Sequence, residues 1–168
     1  MKTSAIIAVV IVAGVLLLSA IGCSYSFSGS SVPSHLKTVA IPLFEDQSGF
    51  GEAGLRERLT QKLMDLFIND NSLAIADRAT SDAVVEGSIV AISDAPSVIS
   101  PGEQVSKRRI TMTVHVTFQD MKMRKKVWER DFSNWGEYTM GVETRTVALD
   151  QAITKITEDI LIETVSGW

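Results

Sequence analysis

The sequence predicts an α+β two-layer sandwich, a mainly antiparallel sheet of about four strands with two long helices packed on one face. Three observations predict it. A β-branched run at Lys37–Phe44 is followed by an amphipathic helical pattern over residues 55–67, three strand-like segments fill residues 83–138, and a second amphipathic pattern closes the chain at 143–165. One helix before a meander and one after it, each with a single apolar stripe, cover one face of the sheet and leave the other open.

The first element, Lys37-Thr38-Val39-Ala40-Ile41-Pro42-Leu43-Phe44, has the apolar composition of a strand buried on both faces. Pro42 cannot donate to a ladder and marks a strand end or an edge. Glu45–Gly51 reads as a loop. Leu55, Leu59, Leu63, Leu66 and Phe67 then recur at helical spacing, with Arg56, Glu57, Arg58, Gln61, Lys62 and Asp65 on the other faces, and Asn69-Asp70-Asn71 ends the helix. Leu73–Ala76 suits a short strand. Ala83–Ser93 suits a longer one, in which Gly87 marks a bulge or a close backbone approach.

After a loop at Asp94–Gly102 comes the clearest strand. Ile110, Met112, Val114, Val116 and Phe118 alternate strictly with Thr111, Thr113, His115, Thr117 and Gln119, so one face is core and the other polar. The turn at Asp120–Lys125 returns the chain into Val127–Tyr138, where Trp128 and Phe132 share one face and Glu129, Asp131 and Trp135 the other. Segments so connected pair antiparallel. Leu149, Ala152, Ile153, Ile156 and Ile160 form the stripe of the last helix, and Gly167 stands where a helix stops.

Residues 1–22 read as a lipoprotein signal peptide. Met1-Lys2 is positive, Ala5–Leu18 is apolar apart from Gly14, and small residues lead to Cys23, the only cysteine, with Ala20 where such signals most often carry Leu. The apolar run is about fourteen residues, short of the roughly eighteen to twenty that cross a bilayer. The Cys23 thiol offers itself to an S-diacylglycerol group, and cleavage before Cys23 frees its amine for an N-acyl chain. Residues 23–36, rich in serine, are the lipidated tether, and residues 37–168 the folded domain. A domain of this size folds without disulfides. The chain carries a formal charge of −4, and about −5 once Lys2 is removed, which excludes nucleic acid as a partner.

Little in the chain suggests catalysis. The two histidines, His35 in the tether and His115 within a strand, have no metal-ligand spacing, and lipid would consume the only thiol. Neither a phosphate-cradling glycine loop nor a Gly-x-Ser-x-Gly elbow occurs. The expectation is a protein that is not an enzyme and has no cofactor beyond the lipid on Cys23.

Two basic clusters stand out. Lys107-Arg108-Arg109 begins the clear strand, while Lys122, Arg124, Lys125 and Lys126, interleaved with Met121 and Met123, crowd the turn after it. A hairpin puts them at opposite ends, roughly 35 to 40 Å apart. The turn suits a phosphorylated amphiphile, with cations on phosphate and thioethers against acyl chains. Its plainer role is a solvated tip whose lysines deter edge pairing.

A family resemblance joins these pieces. Cys23, Tyr25-Ser26-Phe27-Ser28-Gly29, Lys37–Phe44, Asp82-Ala83-Val84-Val85-Glu86-Gly87 and the terminal Glu163-Thr164-Val165-Ser166-Gly167-Trp168, in this order and spacing, resemble the LPS-assembly lipoproteins of the LptE family, in their shorter Bacteroidetes-like form. The resemblance implies an outer-membrane lipoprotein facing the periplasm. It implies a partner, the LptD-type β-barrel, which such proteins plug and help to assemble, and a part in delivering lipopolysaccharide to the outer leaflet. It also implies a sheet with two helices packed against it. Ser24, not Asp, after the lipidated cysteine is compatible with outer-membrane delivery. The family supplies no motif that assigns a lipopolysaccharide contact, so the candidates remain Lys122, Arg124, Lys125, Lys126, Arg108 and Arg109. On the polar strand face, Thr111, Thr113, Thr117 and Gln119 are candidates for a wet barrel wall.

A second resemblance runs through Val39–Phe44, the polar loop, the helix and Ile75-Ala76-Asp77-Arg78. These residues are similar to the opening of lipoproteins related to the curli-secretion component CsgG and of activators of penicillin-binding proteins. The long threonine-rich strand and the C-terminal helix ending near Val165 and Trp168 favour the LptE-like reading.

Overall fold

The computed structural model describes residues 32–97 and 107–168. In chain order these residues form β1 (Thr38–Ala40), β2 (Glu45–Asp46), α1 (Leu55–Asp70), β3 (Ala74–Ile75), β4 (Ala83–Pro96), β5 (Lys107–Asp120), β6 (Lys125–Thr139) and α2 (Arg145–Ser166). The signal peptide, Cys23, most of the tether and the far part of the Asp94–Gly102 loop lie outside the described residues.

Among the described residues the fold is α+β with two helices, but the sheet is mixed and has six strands, in place of the mainly antiparallel sheet of about four. Its order is β3-β1-β4-β5-β6, with β2 also on β4. β1 pairs parallel with β3 and with β4, and β2 pairs parallel with β4. The physical reason is the crossover: α1 carries the chain back along the sheet, so β3 enters in the same direction as β1. The predicted first strand is also split. Val39 and Ala40 face Ala83 and Val84, and Glu45 and Asp46 face Ser88 and Ile89 on the same strand. Between these pairs the Pro42 side advances one residue further than β4 does, because Pro42 has no N–H for the ladder and the chain bulges around it. Glu45 and Asp46, expected in a loop, are the resumption of that strand.

β4, β5 and β6 form the antiparallel meander. β4 runs on to Pro96, opposite Arg108. Gly87 is a point of close approach: a Cβ there would lie 2.1 Å from the His115 carbonyl oxygen and 3.0 Å from the Phe44 ring. The ladder irregularity falls just beyond it, between Ile89 and Ala91.

The predicted alternation of β5 holds. Ile110, Met112, Val114, Val116 and Phe118 are buried in one cluster with Leu55, Leu59, Leu63 and Phe67 of α1 and Leu149, Ala152, Ile153, Ile156 and Ile160 of α2. α2 lies along β5 and β6, while α1 packs on α2 and on the β2 and β3 side. Asn71 ends α1 in the left-handed conformation, φ 59°, its N–H donating to the Phe67 carbonyl at 3.0 Å. α2 also guards the β6 edge: Lys155 Nζ donates to the Trp135 carbonyl at 2.7 Å, and the Glu137 N–H donates to Gln151 Oε1 at 3.1 Å. Those bonds occupy backbone groups that an edge strand would otherwise offer to another chain. The packed chain reaches back past Lys37, since Leu36 is a core residue and Val32 lies against the core.

Candidate functional site

The two basic clusters sit at opposite ends of the β5–β6 hairpin, where Lys107 pairs with Thr139 and Asp120 with Lys125. Side chains at the two ends differ in what holds them. Arg108 Nε donates to Asp94 Oδ1 at 2.7 Å, and Tyr138 donates to the other Asp94 oxygen at 2.9 Å. Arg109 donates to Glu137 Oε1 at 2.9 Å and lies 3.9 Å above the Trp135 ring, on which Lys155 Nζ also rests at 4.1 Å. Both arginines are thus neutralised by carboxylates of their own sheet.

The turn is arranged differently. Lys122 Nζ lies 2.9 Å from Asp82 Oδ1 and donates to the His35 carbonyl at 2.7 Å, and Lys126 pairs with Glu129. Arg124 takes φ 53° at the turn. Among the described residues the Arg124 and Lys125 side chains have no carboxylate partner. Met121 and Met123 beside them are 40% and 64% exposed.

Beneath the turn is a polar latch on the incoming chain. His35 Nε2 meets Asp120 Oδ2 at 2.6 Å, and Asp82 Oδ2 accepts the N–H groups of Lys37 at 2.7 Å and Thr38 at 3.1 Å. Lys122, then those N–H donors, hold the Asp82 carboxyl down to about 2. Burial pushes Asp120 up, but His35 and the Met123 N–H outweigh it and leave its carboxyl below the usual range. The sequence reading missed this latch. Its one available signal is Asp120, which stands in the inward phase of the β5 alternation and is 3% exposed; a carboxylate at a core position requires partners.

The open face of the sheet carries Thr111, Thr113, Thr117 and Gln119, all half-buried in the ladder. Thr113 donates to Ser133 Oγ at 3.1 Å and Gln119 to Glu86 Oε1 at 3.2 Å. His115, between them, is held by Asp131 at 2.6 Å through Nδ1 and by Glu129 at 3.0 Å through Nε2, and these bonds, Asp131 first, raise its pKa. Among the described residues no group of three His, Cys, Asp or Glu could hold a metal ion, and no helix is long and apolar enough to cross a membrane. The open face is a wall of hydroxyls, amides and paired charges.

A family model described as LptE, lipopolysaccharide-assembly, matches residues 36–164. No curated protein matches the sequence. Solved structures share the fold. A hypothetical protein, CT253, of Chlamydia trachomatis superposes with a TM-score of 0.58 at 8% identity, covering 79% of this chain and 99% of that one. Rare lipoprotein B of Shewanella oneidensis gives 0.52 at 12% identity over 78% and 96% of the two chains. A minor lipoprotein of Acinetobacter baumannii gives 0.52 at 11% identity over 80% and 95%.

Proposed function

The chain belongs to the LptE lipopolysaccharide-assembly family, and on that premise we propose that it is an outer-membrane lipoprotein, anchored through Cys23, that seats in an LptD-type β-barrel. There it assists assembly of the barrel and delivery of lipopolysaccharide to the outer leaflet. The observation that carries the reading is the reach of the family match, from Leu36, where the core begins, to Thr164 in the last turn of α2. The open face of β4–β6 supports it, because the interior of a wide barrel is polar and wet and meets hydroxyls and paired charges without stranding either side. The same match favours this reading over that of a secretion-channel subunit or an activator of peptidoglycan synthesis.

Co-purification of the full chain from outer membranes tests it. A one-to-one complex with a large β-barrel is expected, and loss of the chain should lower the level of that barrel and the lipopolysaccharide at the surface. Recovery of a ring of this chain alone, or of a peptidoglycan synthase, would overturn the reading.

A further inference from the structure

We propose that the β5–β6 turn, Met121–Arg124 with Lys125, is the membrane-facing end of the domain and rests on anionic phospholipid headgroups of the leaflet that holds the anchor. The inference depends on the lipid at Cys23 and not on the barrel partner.

The length of chain before the packed domain sets the geometry. Cys23 and Val32 are nine residues apart, which reach at most about 30 Å when fully extended. From Val32 the chain makes one tight turn, in which the Leu36 N–H donates to the Pro33 carbonyl at 2.9 Å, and it is held beside the β5–β6 turn. Lys122 Nζ grips the His35 carbonyl, Asp120 grips the His35 ring, and Asp82, paired with Lys122, grips the N–H groups of Lys37 and Thr38. A lipid on Cys23 therefore brings the turn, and not the far end of the hairpin, to the bilayer.

The chemistry of that end fits the surface it would meet. The whole chain is acidic, at −4, yet the outward charges of the turn are positive. Asp82 and Asp120 face inward on their own donors, whereas Arg124 and Lys125 have no carboxylate partner among the described residues. Met121 and Met123 offer apolar groups beside the cations. Trp168 adds an amphipathic ring at the same end: it is 41% exposed, stands edge-on to Phe118 with centroids 5.7 Å apart, and donates its indole N–H to the Thr164 carbonyl. The opposite end has exposed apolar residues too, Met140 and Val142, and one exposed cation without a carboxylate partner among the described residues, Lys107, but Arg108 and Arg109 there are taken by Asp94 and Glu137, and the held segment at His35–Thr38 lies at the other end. Among the described residues, charge and tether coincide only at the turn.

The full chain, carrying its lipid, tests this in vesicles. With the Cys23 thiol acylated, Met123→Cys offers one thiol for a fluorophore at the turn, and Met140→Cys offers one at the far end. In vesicles of phosphatidylethanolamine and phosphatidylglycerol, lipids bearing a headgroup spin label should quench the probe at position 123 several-fold more than the probe at position 140. Arg124→Asn with Lys125→Gln, asparagine being tolerated at positive φ, should weaken the contact by about thirtyfold. Phosphatidylcholine alone should do the same. Equal quenching at the two positions would overturn the proposal, as would quenching at 123 that requires lipopolysaccharide in the vesicle, which would give the turn to the glycolipid. A chain that fails to float with the vesicles removes the anchor and the proposal with it. The vesicles contain no barrel, so failure of the barrel reading is seen separately, in co-purification.

Discussion

Gly136 of β6 lies so close under the Ala148 carbonyl of α2 that a Cβ at position 136 would sit 2.1 Å from that oxygen and 2.7 Å from Gln151 Cβ. The obstacle is backbone, which cannot swing aside as a side chain does. Gly136→Ala must lift α2 from the edge of β6, and it loosens the Gln151 and Lys155 bonds that close that edge. The expected loss of stability is about 2–3 kcal/mol. Urea unfolding checks it as a lower midpoint at unchanged slope; an unaltered midpoint would show that α2 is not seated on Gly136.

Asp82 ties the incoming chain to the turn, and its carboxyl is held down to about 2, first by Lys122 and then by the N–H groups of Lys37 and Thr38. In the unfolded chain it titrates near 4. The folded form binds fewer protons in that range, so the stabilisation is complete above about pH 4 and is lost as pH falls toward about 2. Thermal midpoints of the parent and of Asp82→Asn should differ at neutral pH and converge across this acid window. A constant difference throughout would remove Asp82 as the titrating group.

His115 works in the opposite direction. Asp131, then Glu129, raise its pKa, so its contribution is full below the ordinary histidine value near 6.5 and is lost as pH rises through the folded value. A ring-proton NMR titration should give a midpoint above that of a free histidine, and Asp131→Asn should lower it. His115→Gln should flatten the stability profile in the neutral range. A His115 midpoint at or below 6.5 would contradict the pairing.

What sequence patterns reveal here depends on the range of the forces behind them. Strand β5 was legible because each inward residue from Ile110 to Phe118 reports its own burial through a local period of two. The helices were legible for the same reason, at their own period. Strand direction was not, because the parallel pairing of Val39 with Ile75 is decided by the path of α1 and leaves no mark on either segment. The basic residues show the same limit. Lys122 and Arg124 are alike in sequence, and only the fold places Asp82 beside the first while leaving the second without a carboxylate partner among the described residues.

Ser133 is the position from which to ask which face meets the barrel. It is exposed midway along the edge strand β6, on the open face and opposite Thr113. Exchanging an exposed serine for arginine alters stability by about 0.5 kcal/mol or less, so Ser133→Arg should leave the thermal midpoint nearly unchanged. If the barrel wall covers this face, the new cation is desolvated without a partner, and recovery of the barrel with the chain should fall at least about tenfold. Lys62→Glu on α1, on the far layer of the sandwich, serves as the comparison and should leave recovery as it was. The reverse pattern, with Lys62→Glu losing the barrel and Ser133→Arg keeping it, would place the helices against the wall and the threonine face toward its open lumen.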